Sequence, residues 1–225
     1  MNLSKTTGWL LVIGVIGGMA LGFSNETASA DWTSDAAMLA ALSTNVDWTK
    51  LSLMLSAIAQ VFIVIGMVGI RDAMSGGVGH KYASMAIWFL AIGATTNLLW
   101  SAMMGLTGDQ WSTKTSLEAA AAAAAGAGIA GGVAVSAWAT AVAFGATTNL
   151  TMFTGVTLLG IGLTMQKSLH MILAALLTIL GIFGIVQSII DARATLIIIP
   201  WIGTFVIMLI IGLGTLGVPV LKKLA

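Results

Sequence analysis

Long apolar stretches without a charged side chain recur along this chain and restrict what it can fold into. The clearest is Leu51–Ile70, LSLMLSAIAQVFIVIGMVGI, with the amide of Gln60 at its middle. A helix needs about 20 apolar residues to cross the hydrocarbon core of a bilayer. Only 8% of the 225 residues are charged, against about 25% in soluble domains. The sequence therefore predicts an all-α, polytopic transmembrane helix bundle, integral to a cell or plasma membrane.

Six stretches of this kind predict about six spans. In chain order they are Gly8–Phe23, Leu51–Ile70, 83–105, 136–160, Ser168–Ile190 and Ala194–Gly217. Residues 31–225 are expected to form a single transmembrane helical domain.

The first stretch permits two interpretations. Ala28-Ser29-Ala30 follows it and matches a signal-peptidase site, so residues 1–30 are either a signal anchor or a cleaved signal peptide. Cleavage would leave five spans. Gly14, Gly18 and Gly22 share one helical face of this stretch, and such a row of small residues predicts close packing against another membrane helix.

Residues 118–165 carry no charge after Glu118 and could form one span or two. Lys and Arg favour short cytoplasmic loops. With one span here, the predicted cytoplasmic side receives Lys5, Arg71, Lys81, Lys167, Lys222 and Lys223, and the outer side receives Lys50, Lys114 and Arg193. With two spans the bias disappears. The charge pattern thus favours six spans over seven, with both termini cytoplasmic if the first helix is retained.

The hexapeptide GATTNL occurs twice, at Gly93–Leu98 and Gly145–Leu150. Six spans place both copies near the middle of consecutive, antiparallel helices. The candidate ligand-binding residues are then the midplane polar set Gln60, Thr95, Thr96, Asn97, Thr147, Thr148 and Asn149. One interpretation is that the Asn and Thr side chains pair between the two helices. The other is a small polar site at the bundle centre, as in secondary transporters. The first is the simpler.

The remaining chemistry of the chain indicates function mainly by exclusion. There is no cysteine, and no zinc-protease or P-loop motif occurs, so we expect no metal, no cofactor and no enzymatic activity. A net charge of +1 does not indicate nucleic-acid binding. The tryptophans at 9, 32, 48, 100 and 111 are predicted to lie in the interfacial belt.

Two functional hypotheses remain. The first is an accessory or structural subunit, or an orphan module, of a membrane complex, with the lipid bilayer and other membrane subunits or further copies of the chain as partners. The alternative is a channel or carrier for a small neutral solute or ion that uses the midplane Thr/Asn cluster.

Overall fold

The computed structural model describes residues 3–119, 124–167 and 169–222, which are almost entirely helical and contain no strand. Six helices are long and apolar enough to cross a membrane. They are α1 (Lys5–Gly22), α3 (Val46–Ala73), α4 (His80–Ala119), α5 (Ala124–Gln166), α6 (Met171–Asp191) and α7 (Ile198–Thr215). Two short helices, α2 (Asp35–Thr44) and α8 (Pro219–Lys222), and 3-10 turns at Glu26–Ala28 and Thr195–Ile197 complete the order. The predicted helix bundle with six spans is confirmed.

The ambiguous region forms one span. Helix α5 runs without a break from Ala124 to Gln166, so the second GATTNL is helical and not a turn. Residues 118–132 are rich in alanine and glycine: Glu118 and Ala119 end α4, residues 124–132 begin α5, and residues 120–123 lie outside the described residues.

Helices α4 and α5 are longer than the predicted spans 83–105 and 136–160. They contain 40 and 43 residues, about 60 Å of helix at 1.5 Å per residue, against a hydrocarbon core of about 30 Å. Small buried residues continue the contact between them beyond the predicted spans: Ala134 is fully buried, and a Cβ atom on Gly131 would lie 3.0 Å from Lys114 Cδ of α4. Hydropathy marks only the part of a helix that crosses lipid, whereas this packing extends the pair past it.

The six long helices form a closed ring. Each packs against the next in the order α1, α3, α4, α5, α6, α7, and α7 packs against α1. At the inner end of the ring, where α1 begins and α7 ends, each helix contributes a fully or almost fully buried apolar side chain to one cluster. These are Leu11, Met67, Leu90, Leu159, Leu177 and Met208. Helix α2 packs against α4 at the opposite, outer end.

Helix α1 supplies one side of this ring. Its contacts are with α3 and α7. Whether residues 1–30 are removed as a signal peptide stays a prediction, and the intact mass of the purified protein decides it.

The glycine row of α1 faces α3, as its close-packing pattern predicts. A Cβ atom on Gly14 would lie 2.8 Å from the carbonyl oxygen of Ala59 and 2.9 Å from the amide nitrogen of Ile63. A Cβ on Gly18 would meet Ala59 Cβ at 3.8 Å, an ordinary contact. Within this row, α1 therefore lies closer to the α3 backbone at Gly14 than at Gly18.

We predict that Gly14→Ala lowers the free energy of unfolding by about 1–3 kcal/mol, because backbone atoms of α3 must move to admit the methyl group. Gly18→Ala is the matched control and should be neutral or stabilising by about 0.5 kcal/mol. Titration of the protein from mild detergent into dodecyl sulfate, followed by circular dichroism, measures both. Equal losses would show that the contact at Gly14 is not close.

Candidate functional site

Two adjoining cavities lie inside the helix ring. The smaller, called here the deep chamber, has a volume of about 160 Å³ and is lined by residues that include Gln60, Ile63 and Asn97. The larger, called the outer chamber, has a volume of about 460 Å³ and includes Asn97, Thr148 and Asn149 in its walls. Six residues line both: Gly18, Ser56, Asn97, Trp100, Trp201 and Phe205. The deep chamber is therefore continued toward the outer end by the outer chamber.

Six of the seven predicted site residues fall into two groups, and the seventh, Thr96, bonds to Thr148 between α4 and α5. Gln60, Asn97, Thr148 and Asn149 line the chambers. Thr95 and Thr147 are exposed on the outside of the ring and donate their hydroxyl groups to carbonyls of their own helices, those of Ala91 (2.9 Å) and Ala143 (3.0 Å). Their polarity is thus satisfied locally, and they take no part in the site.

The two GATTNL copies meet through their second threonines. The Thr148 hydroxyl donates to Thr96 Oγ1 at 2.9 Å. The Thr96 hydroxyl in turn faces the carbonyls of Ile92 (3.1 Å) and Gly93 (3.0 Å). This chain of hydroxyl groups joins α4 to α5.

The two asparagines, Asn97 and Asn149, do not form the pairing between α4 and α5 that the packing interpretation predicts. Asn149 accepts a hydrogen bond from Trp201 Nε1 (2.9 Å) and donates Nδ2 to the Ala192 carbonyl (3.3 Å). Its partners therefore lie on α7 and on the link between α6 and α7, not on α4. Asn97 has no hydrogen-bond partner among the residues that the structure describes.

Aromatic rings form much of the chamber walls. Trp32 and Trp100 stack at a centroid distance of 6.1 Å and an interplanar angle of 24°. Trp201 packs between Phe153 (5.1 Å) and Phe205 (5.5 Å). The rings of Trp32 and Trp100, which the sequence predicts in the lipid-interface belt, line the outer chamber and contact each other.

Residues 24–34, called here the strap, connect α1 to α2 and cover the outer end of the outer chamber, with Ala28, Ala30, Asp31 and Trp32 in its wall. One end of the strap is fixed to α3. Asn25 Nδ2 donates to Ser52 Oγ (2.9 Å), and Trp48 Nε1 donates to the Ser24 carbonyl (2.9 Å).

Arg193 fixes the other end of the strap. Its Nε donates to the Trp32 carbonyl (2.7 Å), its Nη1 donates to Asp35 Oδ1 (2.7 Å), and its guanidinium carbon lies 5.3 Å from the ring centroid of Trp138. Trp138 Nε1 also donates to Asp35 Oδ1, at 2.9 Å. These bonds, the one from Trp138 first, lower the pKa of Asp35 below its ordinary value. The contribution of the carboxylate to stability is therefore present at neutral pH and is lost as the pH falls through the lowered pKa.

The local bonds of Asp31 are of a different kind. The Thr33 hydroxyl (2.6 Å) and the Thr33 backbone amide (2.9 Å) both donate to Asp31 Oδ1, and they lower the pKa of this carboxyl group. Asp31 thus shapes the turn inside the strap, whereas Asp35 ties the end of the strap to α5 and to the link that holds Arg193.

Within the described residues, no three His, Cys, Asp or Glu side chains are grouped so as to hold a metal ion. Comparison of the chain with protein-family models, with curated proteins and with solved structures gives no match.

Sequence reasoning missed the residues at the outer end of the site, notably Asp35, Trp138, Arg193 and Trp201. The available signal was the position of Arg193, the one basic residue in a link of three residues between two apolar spans. The tryptophans gave no such signal, because a cavity-lining indole and an interfacial indole occupy the same depth of a span.

We predict that Asn149→Leu lowers the free energy of unfolding by about 1–3 kcal/mol, because it leaves the Trp201 N–H and the Ala192 carbonyl without their partner. Asn97→Leu removes no hydrogen bond within the protein and should leave the free energy of unfolding unchanged or raise it. Thr147→Val is the control, because Thr147 lies close to Asn149 in the sequence but is exposed on the outside of the ring, and it should change the free energy of unfolding little. Thermal unfolding in detergent measures all three, and equal losses at Asn97 and Asn149 would restore the interpretation in which both serve packing.

Proposed function

We propose that this membrane protein is a carrier that binds a small neutral solute in the two chambers and admits it from the strap end. The proposal depends on one observation. The amides of Gln60 and Asn97 line a cavity at the centre of the helix ring and have no hydrogen-bond partner among the described residues. Both amides are therefore free to bond to a molecule in the cavity, and a bound solute would supply the missing bonds.

Packing alone does not account for these two amides. Asparagine that serves only to join membrane helices bonds to another helix, as Asn149 does to Trp201 of α7. Asn97 lies on the same hydrophobic helix as the lipid-facing Thr95 but faces the cavity. Its position favours a solute-binding role.

The shape of the ring favours a carrier over an open channel. Both chambers lie toward the strap, whereas the inner end of the ring is filled by the apolar cluster around Met67, Leu90 and Leu159, each at most 1% exposed. A cavity that reaches one side only is what a carrier presents in one of its access states. The polar groups that line it are mainly amides, hydroxyls and indoles, and they support binding without catalysis.

The accessory-subunit hypothesis stays a prediction beside this one. It expects other membrane proteins to co-purify with the chain in mild detergent, and a chain that migrates alone would count against it. The predicted sidedness, with the strap outside and both termini cytoplasmic, is part of the carrier proposal.

The chain has no cysteine, so a single introduced thiol reports directly whether water reaches the chambers. We predict that Asn97→Cys reacts with a charged, membrane-impermeant methanethiosulfonate that is added to intact cells. Thr95→Cys is the matched control. It belongs to the same hexapeptide and has nearly the same depth, but it faces away from the ring, where lipid suppresses the thiolate that the reagent requires.

Modification is measured by gel shift after labelling of the remaining thiols with a maleimide polymer. Equal reactivity of the two cysteines, or no reaction at Asn97→Cys from either side of the membrane, would contradict a water-filled chamber. Reaction only in inverted vesicles would keep the chamber and reverse the sidedness.

The strap gives a second prediction. Asp35→Ala removes the acceptor for Arg193 and Trp138 and should raise the rate of modification of Asn97→Cys about two- to fivefold, because an exposed ion pair contributes about 0.5–1 kcal/mol. Asp47→Ala removes the same charge from an exposed position at the start of α3 and should leave the rate unchanged. An unchanged rate in Asp35→Ala would show that the strap does not restrict access.

A further inference from the structure

We propose that the deep chamber recognises a flat, uncharged ring that carries a carboxamide or lactam group, the chemistry of aromatic amides and of nucleobases. This inference rests on the proposed function and names the class of solute that the same site would take.

The hydrogen-bonding inventory of the deep chamber points to an amide. Gln60 is 6% exposed, and neither it nor Asn97 has a hydrogen-bond partner in the described part of the chain. Of the other polar groups of this wall, Ser56 Oγ donates to the Gly18 carbonyl (3.0 Å) and Trp201 Nε1 donates to Asn149. The indole N–H of Trp100 has no hydrogen-bond partner among the described residues and is a further free donor. Each free amide offers two donors and an acceptor. A ligand amide, with its own N–H and C=O, complements both functions of such a group.

The charge distribution excludes an ionic ligand from this position. The residues that line the deep chamber are all uncharged, and an ion that leaves water for an uncharged interior loses most of its hydration energy. Arg193 and Asp31 line only the outer chamber. The molecule that fills the deep chamber is therefore neutral.

The walls select a flat shape. Trp100, Trp201 and Phe205 line the deep chamber, and the rings of Trp201 and Phe205 are tilted by 52° at a centroid distance of 5.5 Å. Aromatic faces favour offset or edge contacts with another ring. The volume of about 160 Å³ is comparable with an apolar cavity of about 150 Å³ that admits benzene, so a single substituted ring fits.

A site with unpaired amides discriminates more strongly than an apolar one. A ligand of the same shape without the amide leaves the protein's polar groups buried and unpaired, which is the basis of strong rejection. Toluene, which lacks the polar group, and benzoate, which replaces it with a charge, should therefore both bind more weakly than benzamide.

The test uses the full chain with the single substitution Ser56→Cys, which is nearly isosteric at a position that lines both chambers. Its reaction with the methanethiosulfonate is followed in membranes as benzamide, benzoate or toluene is added. We expect benzamide to halve the rate of modification at a concentration at least about tenfold lower than benzoate or toluene requires. A tenfold difference corresponds to the loss of about one buried hydrogen bond. A second substitution, Asn97→Leu, in the same chain should abolish the tenfold difference between benzamide and the other two compounds. Thr95→Leu in its place should preserve the difference.

The outcomes separate this inference from the proposed function. Equal protection by benzamide and toluene would overturn amide recognition, and equal protection by benzoate would overturn the requirement for a neutral ligand. Benzamide protection that survives Asn97→Leu would show that Asn97 does not recognise the ring. In each of these cases a reactive Asn97→Cys would still support the chamber, whereas an unreactive Asn97→Cys contradicts the carrier itself.

Discussion

A polar group in hydrocarbon must find a partner inside the protein, because lipid offers none. Most polar side chains of the spans meet this requirement at short range. The hydroxyl groups of Thr95, Thr147 and Thr154 bond to carbonyls one turn earlier in their own helices. Asn149 is too polar for that solution and reaches across to Trp201. The amides of Gln60 and Asn97 have neither kind of hydrogen-bond partner, and both border a cavity.

The cavity exists because the ring is packed differently at its two ends. At the inner end, α1 and α7 approach so closely that a Cβ on either Gly8 or Gly212 would lie 3.0 Å from the carbonyl oxygen of the other. Toward the outer end the large rings of Trp100 and Trp201 stand between the helices and line the chambers. Small residues thus close one half of the ring, and aromatic residues, which cannot fill the space between six helices, leave the other half open.

The sequence predicts the helices well because hydropathy and charge respond to the bilayer, which acts on every span alike. Charge sidedness predicts one span rather than two within residues 118–165, and α5 is continuous from Ala124 to Gln166. The order of helices around the ring leaves no comparable signal in one sequence. Three features depend on which helices are neighbours: the orientation of Trp100, the partners of Asn149 and the contact of Arg193 with Asp35. Hydropathy does not contain this information, so it cannot distinguish Trp100 from an interfacial tryptophan.

The repeated hexapeptide shows how far neighbours, rather than sequence, decide the role of a residue. In both copies the first threonine faces outward, and the second joins α4 to α5 through the bond between Thr96 and Thr148. The asparagines then diverge. Asn149 lies beside α7, where Trp201 and the Ala192 carbonyl satisfy it, whereas Asn97 borders the gap that the aromatic rings hold open. The same asparagine is therefore satisfied by Trp201 and the Ala192 carbonyl in one copy and has no hydrogen-bond partner among the described residues in the other.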